Sequence, residues 1–257
     1  MFKIDRIERT TSILLPLAVV ALFFIIWEVG VFNKVFDIPL FVLPKPTTIF
    51  AYMTRKTSLF LEHASITFFE SLAAFVIGSA FGMVLGVAIF QIELLRETIY
   101  PLLIMFNSVP KSAMAPLLII WFGVGQIPAI ALGAFIAFFP VLVNTMLGCG
   151  ATPSELMDLA HSFKASSWMV FYKIRFPNAL PYICPGIRIA ATTSLVGVVV
   201  SEIVASDAGL GYLIVIAQSQ MTMSLMFGGI ILLLIMGLSF YLIAVLLGKF
   251  LIPWYKR

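Results

Sequence analysis

Few side chains in this 257-residue chain could do chemistry, and their types and spacing narrow what that chemistry is. Lys111 is the only charge well inside an apolar segment, between Pro110 and Pro116, with Asn107 and Ser108 in the preceding turn. An ionisable group at membrane depth costs a few kcal/mol and normally faces a cavity or a partner. Pro110 also removes a helical donor, so the helix is expected to break there. Asn107, Ser108, Lys111 and Glu202 are therefore the candidates for lining a polar pathway. The alternatives are that Lys111 neutralises Glu202 or marks a shallow helix end, and that Glu202, followed by Asp207, serves a structural pairing or an outer gate. His63 and His161 are placed in loops without partners of metal-site spacing. Cys149 and Cys184 bracket one loop, expected on the reducing side, and suggest neither a disulfide nor a metal. No nucleophile–base pair is visible, so no catalytic residue is assigned. No Gly-x-x-x-x-Gly-Lys-Ser/Thr phosphate loop occurs either, so the chain has no cradle for ATP and no cofactor of its own.

The elements that hold these residues are set by composition. The chain is 61% hydrophobic and 11% charged, with a net charge of +4. Soluble domains carry about 25% charged residues, so too little polar surface is present here to cover a globule in water. No Asp, Glu, Lys or Arg occurs in 10–27, 71–92, 112–154 or 208–248. A spanning helix needs about 20 apolar residues, and runs of this length exclude barrel strands. The expected architecture is an all-α integral membrane protein, one domain over 1–257. Its spans are placed at 12–32, 65–90, 98–122, 127–148, 184–204 and 227–250. The first segment is too long for a signal-peptide core and lacks a cleavage site, so it is read as an anchor. The basic residues sit at span ends, which points to lipid and away from nucleic acid.

Orientation follows from Lys and Arg. With the N-terminus inside, Lys3, Arg6, Arg9, Arg96, Lys164, Lys173, Arg175, Arg188, Lys249, Lys256 and Arg257 face the cytoplasm, eleven against the four outer cations Lys34, Lys45, Arg55 and Lys56. Both termini are then cytoplasmic. The outer connection 33–64 begins with Pro39, Pro44 and Pro46 and is expected to carry an amphipathic helix from Thr47 to about Glu62. Segment 207–226, with Gly209, Gly211, Gln218 and Gln220, reads as an outer loop holding a short helix that dips back. Gly78, Gly82 and Gly86 line one helix face, a spacing that permits close packing within the subunit or across a dimer. Trp27, Trp121 and Trp254 fall near span ends, as interfacial aromatics do.

The cytoplasmic loop 149–183 has the grammar of two short helices. Thr152 is expected to cap the first, with Pro153 at its first position and Glu155 reaching back. Leu156, Leu159, Ala160 and Phe163 follow at i, i+3, i+4 and i+7, an apolar stripe. Ser166 or Ser167 starts the second helix, which carries Trp168, Phe171 and Ile174 and is expected to end at Pro177. Such a stripe either lies on the inner leaflet or on its own domain, or it docks a cytoplasmic partner.

The run from Glu155 to Pro177 resembles the EAA loop of binding-protein-dependent ABC importer permeases, which reads Glu-Ala-Ala, three residues, Gly, nine residues, then Ile-x-Leu-Pro. Asp158, Leu159 and Ala160 stand at Glu-Ala-Ala, Lys164 at the Gly, Ile174 at the Ile, and Phe176 with Pro177 at Leu-Pro. Leu43–Pro46, Pro110–Leu117, Trp121–Gly125 and Gly209–Tyr212 are similar to the branch that carries sulfonates, taurine, nitrate and thiamine-pyrimidine precursors.

The resemblance implies the type I importer permease fold: a six-span subunit pairing with a second copy, as a homodimer in a bacterial plasma membrane. It implies a cytoplasmic ATPase dimer that binds the ATP, and an extracytoplasmic solute-binding protein that delivers a small organic or inorganic solute. It also implies that the 152–177 loop couples to the ATPase, through Glu155, Asp158, Leu159, Ala160, Phe163, Lys164, Ile174 and Pro177. The rival reading, a stand-alone secondary transporter or channel, predicts more intramembrane carboxylates and repeated halves. A membrane-embedded enzyme would need a cluster of reactive groups at depth.

Overall fold

The computed structural model describes Phe2–Pro253, and gives the backbone alone for residues 2–14, 17 and 104. Trp254, Lys256 and Arg257, and the side chains of Lys3, Arg6 and Arg9, thus lie outside the described residues. The chain opens with α1 (Phe2–Val29) and a short α2 (Val31–Val35), then α3 (Pro46–Arg55), α4 (Thr57–Gln91) and α5 (Glu93–Asn107). A 3-10 turn at Lys111–Met114 leads into α6 (Ala115–Phe122), followed by α7 (Gln126–Gly150). The loop helices α8 (Ser154–Ser162) and α9 (Ser167–Val170) precede α10 (Phe176–Ala205), α11 (Leu210–Ser219) and α12 (Met223–Leu251). No strand occurs among the described residues.

Among those residues, four helical segments are long and apolar enough to cross a membrane: Thr57–Gln91, Gln126–Gly150, Ser167–Ala205 and Met223–Leu251. The predicted span 98–122 is not one rod. Glu93–Asn107 and Lys111–Phe122 meet at 93° across Ser108–Pro110, so the pair counts as a fifth crossing only as a broken span. Pro110 explains the break, because it removes a donor from the i→i−4 ladder, and Pro116 falls in the first turn of α6, where its missing donor is no loss.

Packing centres on α4, α7 and α10. Gly78, Gly82 and Gly86 face α7: a Cβ on Gly82 would stand 2.6 Å from the Phe138 carbonyl oxygen, and one on Gly86 would stand 2.9 Å from that of Leu142. Gly133 and Gly197 repeat the device between α7 and α10, with Gly133 Cα only 2.7 Å from a Cβ built at Gly197. Lipid gives helices no hydrophobic drive to associate, so close backbone approach and dispersion do it. The glycine stripe of α4 thus packs within the subunit. Many large apolar side chains on the outer surface of the bundle remain exposed, as a lipid-facing surface requires.

Several local expectations are corrected. The outer amphipathic helix ends at Arg55, and the next helix starts at Thr57, eight residues before the expected start of the second span. His63 and His161 consequently lie in helices α4 and α8, not in loops. The outer connection is instead fixed by polar contacts. Thr47 donates to Glu28 from both N (3.0 Å) and Oγ1 (2.8 Å), tying α3 to the end of α1. Asn33 Nδ2 donates to the carbonyls of Ile38 and Leu43. Segment 207–226 contains α11, a ten-residue helix.

Candidate functional site

The loop between α7 and α10 is built by local chemistry. Thr152 does not cap α8. Its hydroxyl donates back to the Cys149 carbonyl at 3.4 Å, and the helix begins at Ser154 after Pro153. Ala151, Thr152 and Pro153 carry the chain from α7 to α8, with Pro153 at the N-cap position that the expected capping box would need. At the other end, Lys164 has φ +50, in the left-handed region that favours glycine. Ala165 N donates to the Ala160 carbonyl (3.0 Å) and Lys164 N to that of His161 (2.9 Å). This is the Schellman pattern, with Lys at the position glycine usually holds. The bend therefore keeps its positive φ and accepts a side chain there. Ser166 caps α9 through Met169 N at 3.3 Å. Pro177 does not end that helix. A wide π turn at Phe171–Arg175 carries it into α10, where Pro177 falls in the first turn and its missing donor costs nothing.

The faces of the loop sort cleanly. Ala160 is 5% exposed, whereas Leu159 (54%), Phe163 (78%) and Trp168 (73%) point outward. Glu155, Asp158 and Lys164 are also exposed, and Ile174 and Pro177 are half-buried. Trp168 stacks on Tyr172, with ring planes 15° apart. Beneath the loop, a cavity of about 420 Å³ separates it from the α4–α5 corner. Arg175 lies over the Phe90 ring there at 5.2 Å. Among the described residues, nothing covers the outward apolar stripe.

The helix break holds the second group of residues. Lys111 Nζ donates to Asn107 Oδ1 at 2.8 Å and to the Asn107 carbonyl at 3.2 Å, and stands over the Phe139 ring at 5.3 Å. The lysine thus satisfies a carbonyl freed by the break. Asn107 and Ser108 are exposed and Lys111 is half-exposed.

Glu202 is not with this group. It is 1% exposed and belongs to a polar knot among α4, α10 and α11. Its Oε1 accepts from Thr67 Oγ1 (2.7 Å) and its Oε2 from Gly211 N (2.6 Å). Leu210 N donates to Thr67 Oγ1 at 2.8 Å, and Gly209 N to His63 Nδ1 at 3.0 Å. The orphan N–H groups of α11 are thereby satisfied by side chains from two other helices. Gly209 has φ +102, and a Cβ there would collide with the Glu202 carboxyl group. Glu70, 3% exposed, brings a second carboxyl group against Glu202, and its Oε2 has no hydrogen-bond partner. Sequence reasoning named Glu202, Gly209 and Gly211, placed His63 in a loop without a partner, and missed Thr67 and Glu70. Their i, i+4, i+7 spacing on α4 was the available signal. Among the described residues, no three His, Cys, Asp or Glu side chains gather as metal ligands would.

Comparison with known proteins now decides the class. A family described as the binding-protein-dependent transport system inner membrane component matches residues 76–257. The chain belongs to that family. Among curated relatives, a probable ABC transporter permease protein of Haemophilus influenzae is 31% identical over 89% of this chain and 93% of its own length. The formylaminopyrimidine transport permease protein ThiX of Halalkalibacterium halodurans is 29% identical over 97% and 99%. The putative aliphatic sulfonates transport permease protein SsuC of Bacillus subtilis is 31% identical over 88% and 80%. A solved chain of the MetNI methionine ABC transporter in an inward-facing conformation superposes with a TM-score of 0.60 at 18% identity, over 74% of this chain and 94% of that one. That likeness shows the type I importer permease fold. The protein is a multi-pass inner-membrane permease subunit of an ABC importer, of the branch that includes the sulfonate and thiamine-precursor permeases.

Proposed function

We propose that the permease, one domain over 1–257, works as a pair of identical subunits lying against a separate cytoplasmic ATPase dimer that binds and hydrolyses the ATP. The ATPase docks on α8 and α9 through Leu159, Phe163 and Trp168, with Glu155, Asp158 and Lys164 at the polar rim. Ala160, Ile174 and Pro177 hold the loop from beneath. The observation that carries this reading is the outward apolar stripe, uncovered by any described residue, on a loop with the spacing of the importer motif. Large apolar side chains gathered on a water-facing loop favour a protein partner. Leucine and two aromatic rings suit a cleft in that partner.

The same orientation puts both termini in the cytoplasm. A binding protein then delivers solute to the outer face, near α3 and α11. ATP-driven closure of the ATPase pair draws the two loops together and opens the pathway outward. Asn107, Ser108 and Lys111 line that pathway at the helix break, where a cation suits an anionic cargo. The names of the relatives support a sulfonate, a similar small anion or a pyrimidine-type vitamin precursor. Glu202 acts indirectly, by fixing α11. The rival reading, a stand-alone transporter, leaves the loop stripe without a purpose.

The test is affinity purification of the tagged chain from its own membranes in mild detergent, beside a Phe163→Asp variant. Recovery of an ABC ATPase with the wild-type chain, and its loss with the variant, is expected. Equal recovery with both would remove the loop from the interface.

A further inference from the structure

From the structure we infer a phosphate-binding site for an anionic lipid headgroup at the inner end of α10 and α12, built on Arg188 and Lys249. A cavity of about 310 Å³ opens there, lined by Cys184, Pro185, Arg188, Lys249, Ile252 and Pro253 among others, with no carboxylate in its wall. Gly248 makes room for it. With no side chain at 248, the Arg188 guanidinium lies along the α12 backbone, 3.3 Å from where a Cβ would stand. The Arg188 Nε is buried and has no hydrogen-bond partner. Among the described residues, the single ion pair is Arg96 with Glu93, so neither Arg188 nor Lys249 has a carboxylate. Arg188 is half-buried and Lys249 exposed, so two cations share one cavity whose described lining supplies no negative group, and an anion is the ligand that complements it.

The surroundings say where that group comes from. Lys249 immediately follows the uncharged run 208–248, and Arg188 is one turn past Cys184 on the neighbouring helix, so both stand at the inner end of apolar segments. The side chains beside them on the outer surface are apolar and exposed: Ile189, Leu246 and, at 84%, Phe250. A ligand here has its charged end among two cations and its remainder against a lipid-facing wall. That is the chemistry of a phosphodiester headgroup with acyl chains. A free phosphate ester satisfies only the first half.

The test uses the full chain with the subunits that co-purify, stripped of lipid by detergent exchange and titrated with phosphatidylglycerol or phosphatidylcholine, bound lipid being counted by native mass spectrometry. The wild type is expected to prefer phosphatidylglycerol by about thirty-fold, about fivefold per cation. The Arg188→Gln/Lys249→Gln pair loses that preference. The exposed Lys249→Gln change alone, which leaves Arg188 packing intact, lowers it about fivefold. Lys34→Gln, on the outer side, leaves it unchanged. Unchanged preference in the double variant overturns the site. Competition by inorganic phosphate or glycerol phosphate at lipid-like concentrations overturns the lipid assignment in favour of a free phosphate ester. Retained preference that vanishes when the partner subunits are removed overturns it in favour of a subunit contact.

Discussion

Replacing Glu202 by Ala should release α11 from the bundle. The carboxyl group accepts from Gly211 N at 2.6 Å and from Thr67 Oγ1 at 2.7 Å, in a place 1% exposed. In the alanine variant, the Thr67 hydroxyl can turn to the His63 carbonyl at 3.3 Å, but Gly211 N–H has no second acceptor. An orphaned buried donor costs about 1–3 kcal/mol. The void left by the lost carboxyl and methylene adds about 1–2 kcal/mol, for a total of about 2–5 kcal/mol. Glu202→Gln should cost only about 1 kcal/mol, because its oxygen still accepts and its amide can donate to the unpartnered Oε2 of Glu70. Thr67→Val removes the acceptor for Leu210 N and the donor to Glu202, so the two substitutions should couple by about 1 kcal/mol or more in a double-mutant cycle. Amide hydrogen exchange over 209–213 reads the local effect. Thermal unfolding in lipid nanodiscs reads the total, at about 2–4 °C per kcal/mol for a chain of this size. Unchanged exchange at Leu210 and Gly211 in Glu202→Ala would refute the assignment of the knot as the clamp on α11.

Phe163→Ala should weaken ATPase binding about thirty-fold, as loss of a central aromatic anchor worth about 2 kcal/mol does, measured by titrating the ATPase onto nanodisc-held permease. Lys164→Gly should stabilise the loop by up to about 1 kcal/mol, since the left-handed φ of +50 no longer strains a side chain, and should slow exchange of the 164 and 165 amides. Gly82→Ala should destabilise by about 1–3 kcal/mol in a thermal melt, its Cβ lying 2.6 Å from the Phe138 carbonyl oxygen. Gly237→Ala, whose nearest neighbour is Leu195 Cδ2 at 3.5 Å, should leave the melt unchanged or raise it.

The fold was legible wherever one strong physical constraint acts. Lipid forces long uncharged runs into helices, so α4, α7 and α12 were found from the positions of charge, with errors at their ends. The loop was legible by spacing, because a stripe at i, i+3, i+4 and i+7 needs a helix, and the positive φ of Lys164 shows why the family motif asks for glycine there. Which member of the stripe faces inward was not legible: Ala160 and Leu159 are adjacent, and only the folded loop separates them, at 5% and 54% exposed. The outer knot was hidden for a different reason. Glu202 reads as a boundary charge in sequence, and its partner Thr67 lies 135 residues away on another helix. Helix ends failed where proline was taken as a stop: Pro177 sits inside one helical run from Ser167 to Ala205, which the π turn at 171–175 carries forward.

The coupling claim is tested most directly by a photo-reactive benzophenone side chain placed at Phe163, with a second at the lipid-exposed Ile120 as reference, irradiated in native membrane vesicles. The account predicts a protein adduct at 163 whose digest contains ATPase peptides, and lipid adducts alone at 120. Lipid adducts at 163 with no ATPase peptide would contradict it and return the loop to the surface of the inner leaflet.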